Sequence, residues 1–140
     1  MFDYFLLYQD WGPLILRVTL GVLFMLHGYP KLFTPVRVGF GGWLESIGIR
    51  PGKFWALVVG VVEFFGGAAL ILGVFIELAA LLIAIDMLVA MIKVKWGQVK
   101  VIEMERMGWE LDLIYFVAAV SLLFSGPGAY ALGQYLLLGY

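Results

Sequence analysis

Apolar residues run along this chain in long unbroken blocks, not in the half-striped patterns of a water-soluble fold. Blocks at about 13–33, 54–75, 77–96 and 109–125 each approach the roughly 20 residues that a helix needs to cross a hydrocarbon core. The pattern predicts an all-α protein built as a bundle of four transmembrane helices. Only the short stretch from Gly73 to Glu77 separates the second block from the third. Those two spans should form a tight antiparallel hairpin, with Gly73 supplying the left-handed residue that ends the second helix. In the first loop, "TPVRVGFGGWLESIGIRPG", Trp43, Leu44 and Ile47 share one helical face while Glu45 and Ser46 take the other, which predicts a short interfacial helix. The other long loop, "GQVKVIEMERMG", is compatible with a hairpin, a helical extension or a lid.

Composition sharpens the class. The 140 residues are 64% hydrophobic and 14% charged, with a mean hydropathy of +1.02, against about 45–50% apolar and about 25% charged in soluble domains. The chain reads as one membrane domain over residues 1–140 whose first partner is the lipid bilayer, and nothing suggests nucleic acid. It contains no cysteine, which excludes thiol chemistry and iron–sulfur clusters on its own residues. The segment "MFDYFLLYQDWGP" lacks the basic start and small-residue cleavage site of a signal peptide; it is expected to be retained and to lie in the interface.

Charge placement orients the spans. Arg37, Arg50 and Lys53 follow the first block, and Lys93, Lys95, Lys100 and Arg106 follow the third, whereas the N-terminal segment, the hairpin turn and the tail carry no lysine or arginine. By the positive-inside rule, loops 34–53 and 97–108 are cytoplasmic and both termini lie outside a cell membrane. Trp11, Tyr130, Tyr135 and Tyr140 would then form the outer aromatic belt.

Within this frame several charges stand where lipid should be. Arg17, His27 and Lys31 belong to the first span, Glu63 to the second, Asp86 to the third, and Glu110 and Asp112 to the first turn of the fourth. A charge at mid-bilayer costs at least about 2.5–3.5 kcal/mol, so each needs a partner or a wet cavity. At about 1.5 Å of rise per residue, Glu63 and Asp86 fall at matched mid-membrane depth on hairpin neighbours and are expected to share a proton or a cation. His27 and Lys31, four residues apart, point the same way. Pro30 removes a backbone donor and Gly28 weakens the same turn, predicting a kink that frees a carbonyl beside His27. Gly60, Glu63 and Gly67 follow i, i+3, i+7, so the charge sits on a face of little bulk suited to close helix approach. Asp86 is grouped by the same logic with Ala79, Leu82, Val89 and Ala90 on an inward face of the third span.

Each of these residues also has a plainer reading. Buried opposite charges can simply hold helices in register; Lys31 can snorkel to the surface; Arg17 can snorkel outward or anchor something polar; Glu110 and Asp112 can serve only to favour a helix N-terminus.

Taken together, the segments "LRVTLGVLFMLHGYPKLF", "WLESIGI", "VVGVVEFFGGAALILG", "LIAIDMLVA" and "GWELDLIYF" followed by "GPGAYALG" resemble, in order and over nearly the whole chain, the DoxX family of small membrane proteins. The resemblance implies a four-helix membrane bundle. It also implies an association with sulfur or quinone redox chemistry, as in a subunit of thiosulfate:quinone oxidoreductase, or with membrane oxidoreductase complexes of oxidative-stress defence. Arg17, His27, Gly28, Lys31, Glu63, Asp86, Trp109 and Glu110 match the family pattern; Pro30 and Asp112 are not carried over.

Three functions follow as expectations. The first is a binding and proton-relay site for a quinone or other amphiphile in the inner half of the bundle, within a redox system. It comprises His27, Lys31, Glu63, Asp86 and Glu110, with Arg17 and Trp109 secondary, and the protein is at most a subunit of a quinone-linked oxidoreductase with no catalytic residue of its own. His27 would give a hydrogen bond or proton to a ligand carbonyl. Possible quinone apart, no covalent cofactor and no metal are expected, although His27, Glu63 and Asp86 could in principle hold one; the single histidine argues against haem. The second is a small proton-coupled transporter, acting as a dimer, without the internal repeat of many carriers. The third is a non-catalytic assembly subunit. A homodimer or a redox partner subunit is compatible with the first and third.

Overall fold

The computed structural model describes residues 8–95 and 108–137. Among them every regular element is helical: α1 Trp11–Phe33, α2 Val36–Ser46, α3 Gly52–Leu72, α4 Ile76–Val89, a π-helical turn Ala90–Lys95, α5 Glu110–Ser125 and α6 Leu132–Leu137. Of these, α1 and α3 are long and apolar enough to cross a membrane. The N-terminal segment before residue 8 and most of the 97–108 loop lie outside the described residues.

Glycine sets the main helix contact. Gly21 and Gly67 face each other so closely that a Cβ on either would sit 2.5 Å from the other's carbonyl oxygen, and a Cβ on Gly28 would sit 2.5 Å from the Phe64 backbone nitrogen. This glycine seam lets α1 and α3 pack nearly backbone to backbone. On the opposite side, Ala80, Ile83, Ala84 and Met87 of α4 join Ala119 and Leu122 of α5 in the buried core with Leu20 and Phe24 of α1.

The hairpin between α3 and α4 forms as the glycine predicts. Gly73 has φ 73° and ψ 35°, the Gly73 N–H bonds the Leu70 carbonyl at 3.3 Å, and the Val74 N–H bonds that of Ala69 at 3.0 Å, the pair of bonds of a Schellman motif. Phe75 also has positive φ, at 48°, which costs a non-glycine residue roughly 1–2 kcal/mol.

The first helix covers the predicted 13–33 block, running through Pro30 to Phe33; Pro30 lacks an N–H for the Leu26 carbonyl, but Thr34 Oγ1 donates to the Pro30 carbonyl at 2.7 Å and closes the terminus. Two expectations change. The buried face of α4 is Ile76, Ala79, Ala80, Ile83, Ala84 and Met87, while Leu82 and Val89 are exposed, so Asp86 stands at the edge of the packed face and not at its centre. The small alanines decide this, because they admit the closest approach. Finally, the third apolar block ends in a π-turn, a geometry that inserts an extra residue and recurs at functional sites.

Candidate functional site

Lys31 lies one turn beyond the contact that Gly28 makes with Phe64, and Gly60 packs under its Cβ. The glycine seam thereby carries the ammonium to Glu63, with Nζ donating to Oε1 at 2.6 Å and to Oε2 at 2.5 Å. Glu63 is buried, 3% exposed. The ammonium also lies 4.9 Å from the centroid of the Phe40 ring on α2, a cation–π contact that ties the first-loop helix to the ion pair. This helix is clipped at its other end, where Glu45 Oε1 accepts the Gly52 N–H at 3.0 Å.

The π-turn presents a second pair. Lys95 Nζ lies 2.8 Å from Asp112 Oδ2, outside hydrogen-bonding direction, and donates to the Gly108 carbonyl at 3.1 Å. Two charges remain to be placed. Asp86 Oδ2 is buried without a hydrogen-bond partner among the described residues. His27 Nδ1 donates to the Leu23 carbonyl at 2.7 Å, one turn back on its own helix, and not to the carbonyl left by Pro30. That bond fixes which ring nitrogen is occupied and leaves Nε2 as the lone-pair position of the neutral imidazole.

The two ion pairs, Phe40, Asp86 and His27 border one cavity of about 280 Å³. Its polar lining is His27, Lys31, Glu63, Asp86, Lys95 and Asp112; its walls are chiefly Phe24, Phe40, Trp43, Trp55 and Tyr115 with aliphatic residues between them. Apolar, aromatic walls with a few convergent polar groups are what small-molecule sites present. Among the described residues no three histidine or acidic side chains are grouped so as to hold a metal ion.

The pattern that defines the DoxX family matches residues 12–96. The chain belongs to the DoxX family. Relatives of this DoxX protein include an uncharacterized membrane protein of Mycobacterium tuberculosis, 29% identical over 92% of this chain and 85% of the relative. An uncharacterized protein of Haemophilus influenzae is 31% identical over 89% of this chain and 90% of its own. A protein of Bacillus subtilis proposed to be an oxidoreductase, CatD, is 28% identical over 91% and 89%. No solved structure matches the chain. The family and the first of these relatives make it a membrane protein.

Of the DoxX-pattern residues singled out in the sequence, His27, Lys31, Glu63 and Asp86 come together at the cavity. The Lys31 ammonium hydrogen-bonds both Glu63 oxygens, and Asp86 Oδ2 has no hydrogen-bond partner among the described residues. Glu110 stands in the first turn of α5 with Oε2 buried, and Trp109 precedes it as the N-cap; neither borders the cavity. Arg17 lies roughly 20 Å from Lys31 along α1, at the other end of the bundle. There Nη1 donates to the carbonyls of Leu70 and Ile71 at 3.2 and 3.4 Å and Nη2 to that of Tyr130 at 2.5 Å. A buried cation at the negative end of α3 serves as that helix's cap and joins it to the tail, where the Gly133 N–H meets the Gly73 carbonyl at 2.8 Å and the rings of Trp11 and Tyr130 stand 5.8 Å apart.

Sequence reasoning missed Lys95, which served only as a loop charge, and placed Asp112 at a helix terminus without a partner. Opposite charges at the end of one apolar block and the start of the next were the available signal. The aromatic walls were also visible: Phe24, His27 and Lys31 stand at i, i+3, i+7, and Asp112 and Tyr115 at i, i+3, which places each pair of wall and polar residue on one helix face.

Proposed function

We propose that this DoxX protein crosses the cell membrane four times, with both termini outside and loops 34–53 and 97–108 in the cytoplasm. In the inner half of its bundle it binds the ring of a quinone or similar amphiphile for a membrane redox system. The observation that carries the reading is the cavity, where aromatic walls surround a neutralised Lys31–Glu63 pair, the unpartnered Asp86 oxygen and His27. A volume of about 280 Å³ lies at the small end of the range for ligand sites, about 300–1,000 Å³. It suits one substituted ring with any chain running out into lipid. The Lys31–Glu63 pair and the Lys95–Asp112 pair hold the walls in register, and His27 and Asp86 address the ligand. The oxidoreductase description of the Bacillus subtilis relative agrees with this reading.

The test is binding of decylubiquinone and a short-chain menaquinone to purified protein in micelles, followed by quenching of Trp43 and Trp55 fluorescence, which both line the cavity. Saturable quenching is expected for the natural sequence. It should weaken at least about tenfold in Tyr115→Ala, which removes an aromatic wall of the cavity. Absence of saturable binding by either quinone would remove the proposal.

A further inference from the structure

The hydrogen-bonding inventory of the cavity is lopsided. Its strongest donors are committed: the Lys31 ammonium to both oxygens of Glu63, with Phe40 on another side; the Lys95 ammonium to the Gly108 carbonyl by a hydrogen bond and to Asp112 as an ion pair; and the His27 Nδ1–H to the Leu23 carbonyl. Three acceptors remain uncommitted among the described residues. Asp86 Oδ2 and Asp112 Oδ2 are buried with no hydrogen-bond partner, and Nε2 of the exposed His27 becomes the lone-pair nitrogen once Nδ1 donates. The other donors on the lining are the indoles of Trp43 and Trp55, both of them exposed residues, and the Tyr115 hydroxyl, which serves equally as donor or acceptor.

A carbonyl ligand offers only acceptors, and placed in this cavity it leaves the Asp86 oxygen facing another lone pair. A hydroxyl ligand offers the donor that the carboxylate and the imidazole lack. Leaving a buried acceptor unpaired costs more than a made hydrogen bond contributes, so the difference between the two ligand forms should be large. We infer that the site selects the reduced, dihydroxy form of its ring ligand, a hydroquinone, over the oxidised dicarbonyl form. Asp86 and His27 Nε2 accept the two hydroxyl protons. Asp86 is then the residue that sets this preference, while Glu63, bound on both oxygens, positions the cavity wall.

The inference rests on the ring-ligand reading above, and the experiment separates the two. Decylubiquinone and its hydroquinone form, the latter kept reduced under anaerobic conditions, are titrated into the full chain in micelles at pH 8, a condition that favours the ionised carboxyl. The hydroquinone is expected to bind at least about tenfold more tightly, as for one hydrogen bond to a charged group. In Asp86→Asn, which keeps the shape and adds an N–H donor, the preference should fall to within about threefold. Equal or tighter binding of the quinone by the natural sequence would overturn the inference and leave the ring site standing. A preference that survives unchanged in Asp86→Asn would overturn the role of Asp86. If neither form binds, both readings are lost.

Discussion

Replacing Lys31 with methionine keeps the length of the side chain and removes its charge, leaving Glu63 buried without a cation. The ammonium stands 2.6 and 2.5 Å from the two carboxylate oxygens. At that separation, with an effective dielectric of about 20, the gross attraction is roughly 6–7 kcal/mol. Most of it offsets the desolvation of both charges, so the pair is worth little net, whereas removing one partner exposes a penalty of about 3–5 kcal/mol. The two partners are not equivalent. The side chain of Glu63 is 4% exposed and that of Lys31 is 18% exposed; a lysine without its acid can turn toward water at the helix end, but a glutamate behind the glycine seam cannot. Lys31→Met should therefore cost about 3 kcal/mol or more, and Glu63→Gln, which retains a hydrogen-bonding carbonyl, about 1 kcal/mol. The double variant Lys31→Met with Glu63→Leu should recover most of the larger loss, since apolar replacement of a buried pair is often neutral. Equilibrium unfolding in micelles, titrated with SDS and read by tryptophan fluorescence, measures all three. Equal losses below about 1 kcal/mol in the two single variants, the worth of a surface pair, would refute the reasoning.

Gly28→Ala places a Cβ 2.5 Å from the nitrogen and 2.9 Å from the Cα of Phe64, and the same titration should show a loss of about 1–3 kcal/mol; a neutral result would mean that the seam does not set the α1–α3 distance. Arg17→Met removes three carbonyl contacts from a residue that is 1% exposed. It should destabilise the fold by about 2–4 kcal/mol while leaving quinone affinity, measured below the unfolding transition, within about twofold; a selective loss of affinity would place Arg17 in the ligand site. Because the chain has no cysteine, single cysteines report topology cleanly. With an impermeant maleimide, Ser46→Cys should label only in inverted vesicles and Ser125→Cys only in right-side-out ones; both residues are exposed, and labelling of both from one side would contradict the four-span arrangement.

The class and the candidate residues were legible because they depend on local properties. Uninterrupted apolar blocks mark helices, Gly73 before Val74 marks the end of one, and Gly60, Glu63 and Gly67 at helical spacing place an acid on a packing face. Pair choice was not legible. Lys31 selects Glu63 over Asp86 because the contact of Gly28 with Phe64 sets the register of α1 on α3, and no single helix contains that information. Lys95 reaches Asp112 from a π-turn that the apolar pattern does not signal, and Arg17 finds its partners in the carbonyls of a helix end and of a tail 113 residues away, groups that every sequence possesses. Periodicity records how each position is solvated, so it tells which side chains must find a partner. Which partner they find depends on distances between helices, and those exist only after the glycine seam has closed.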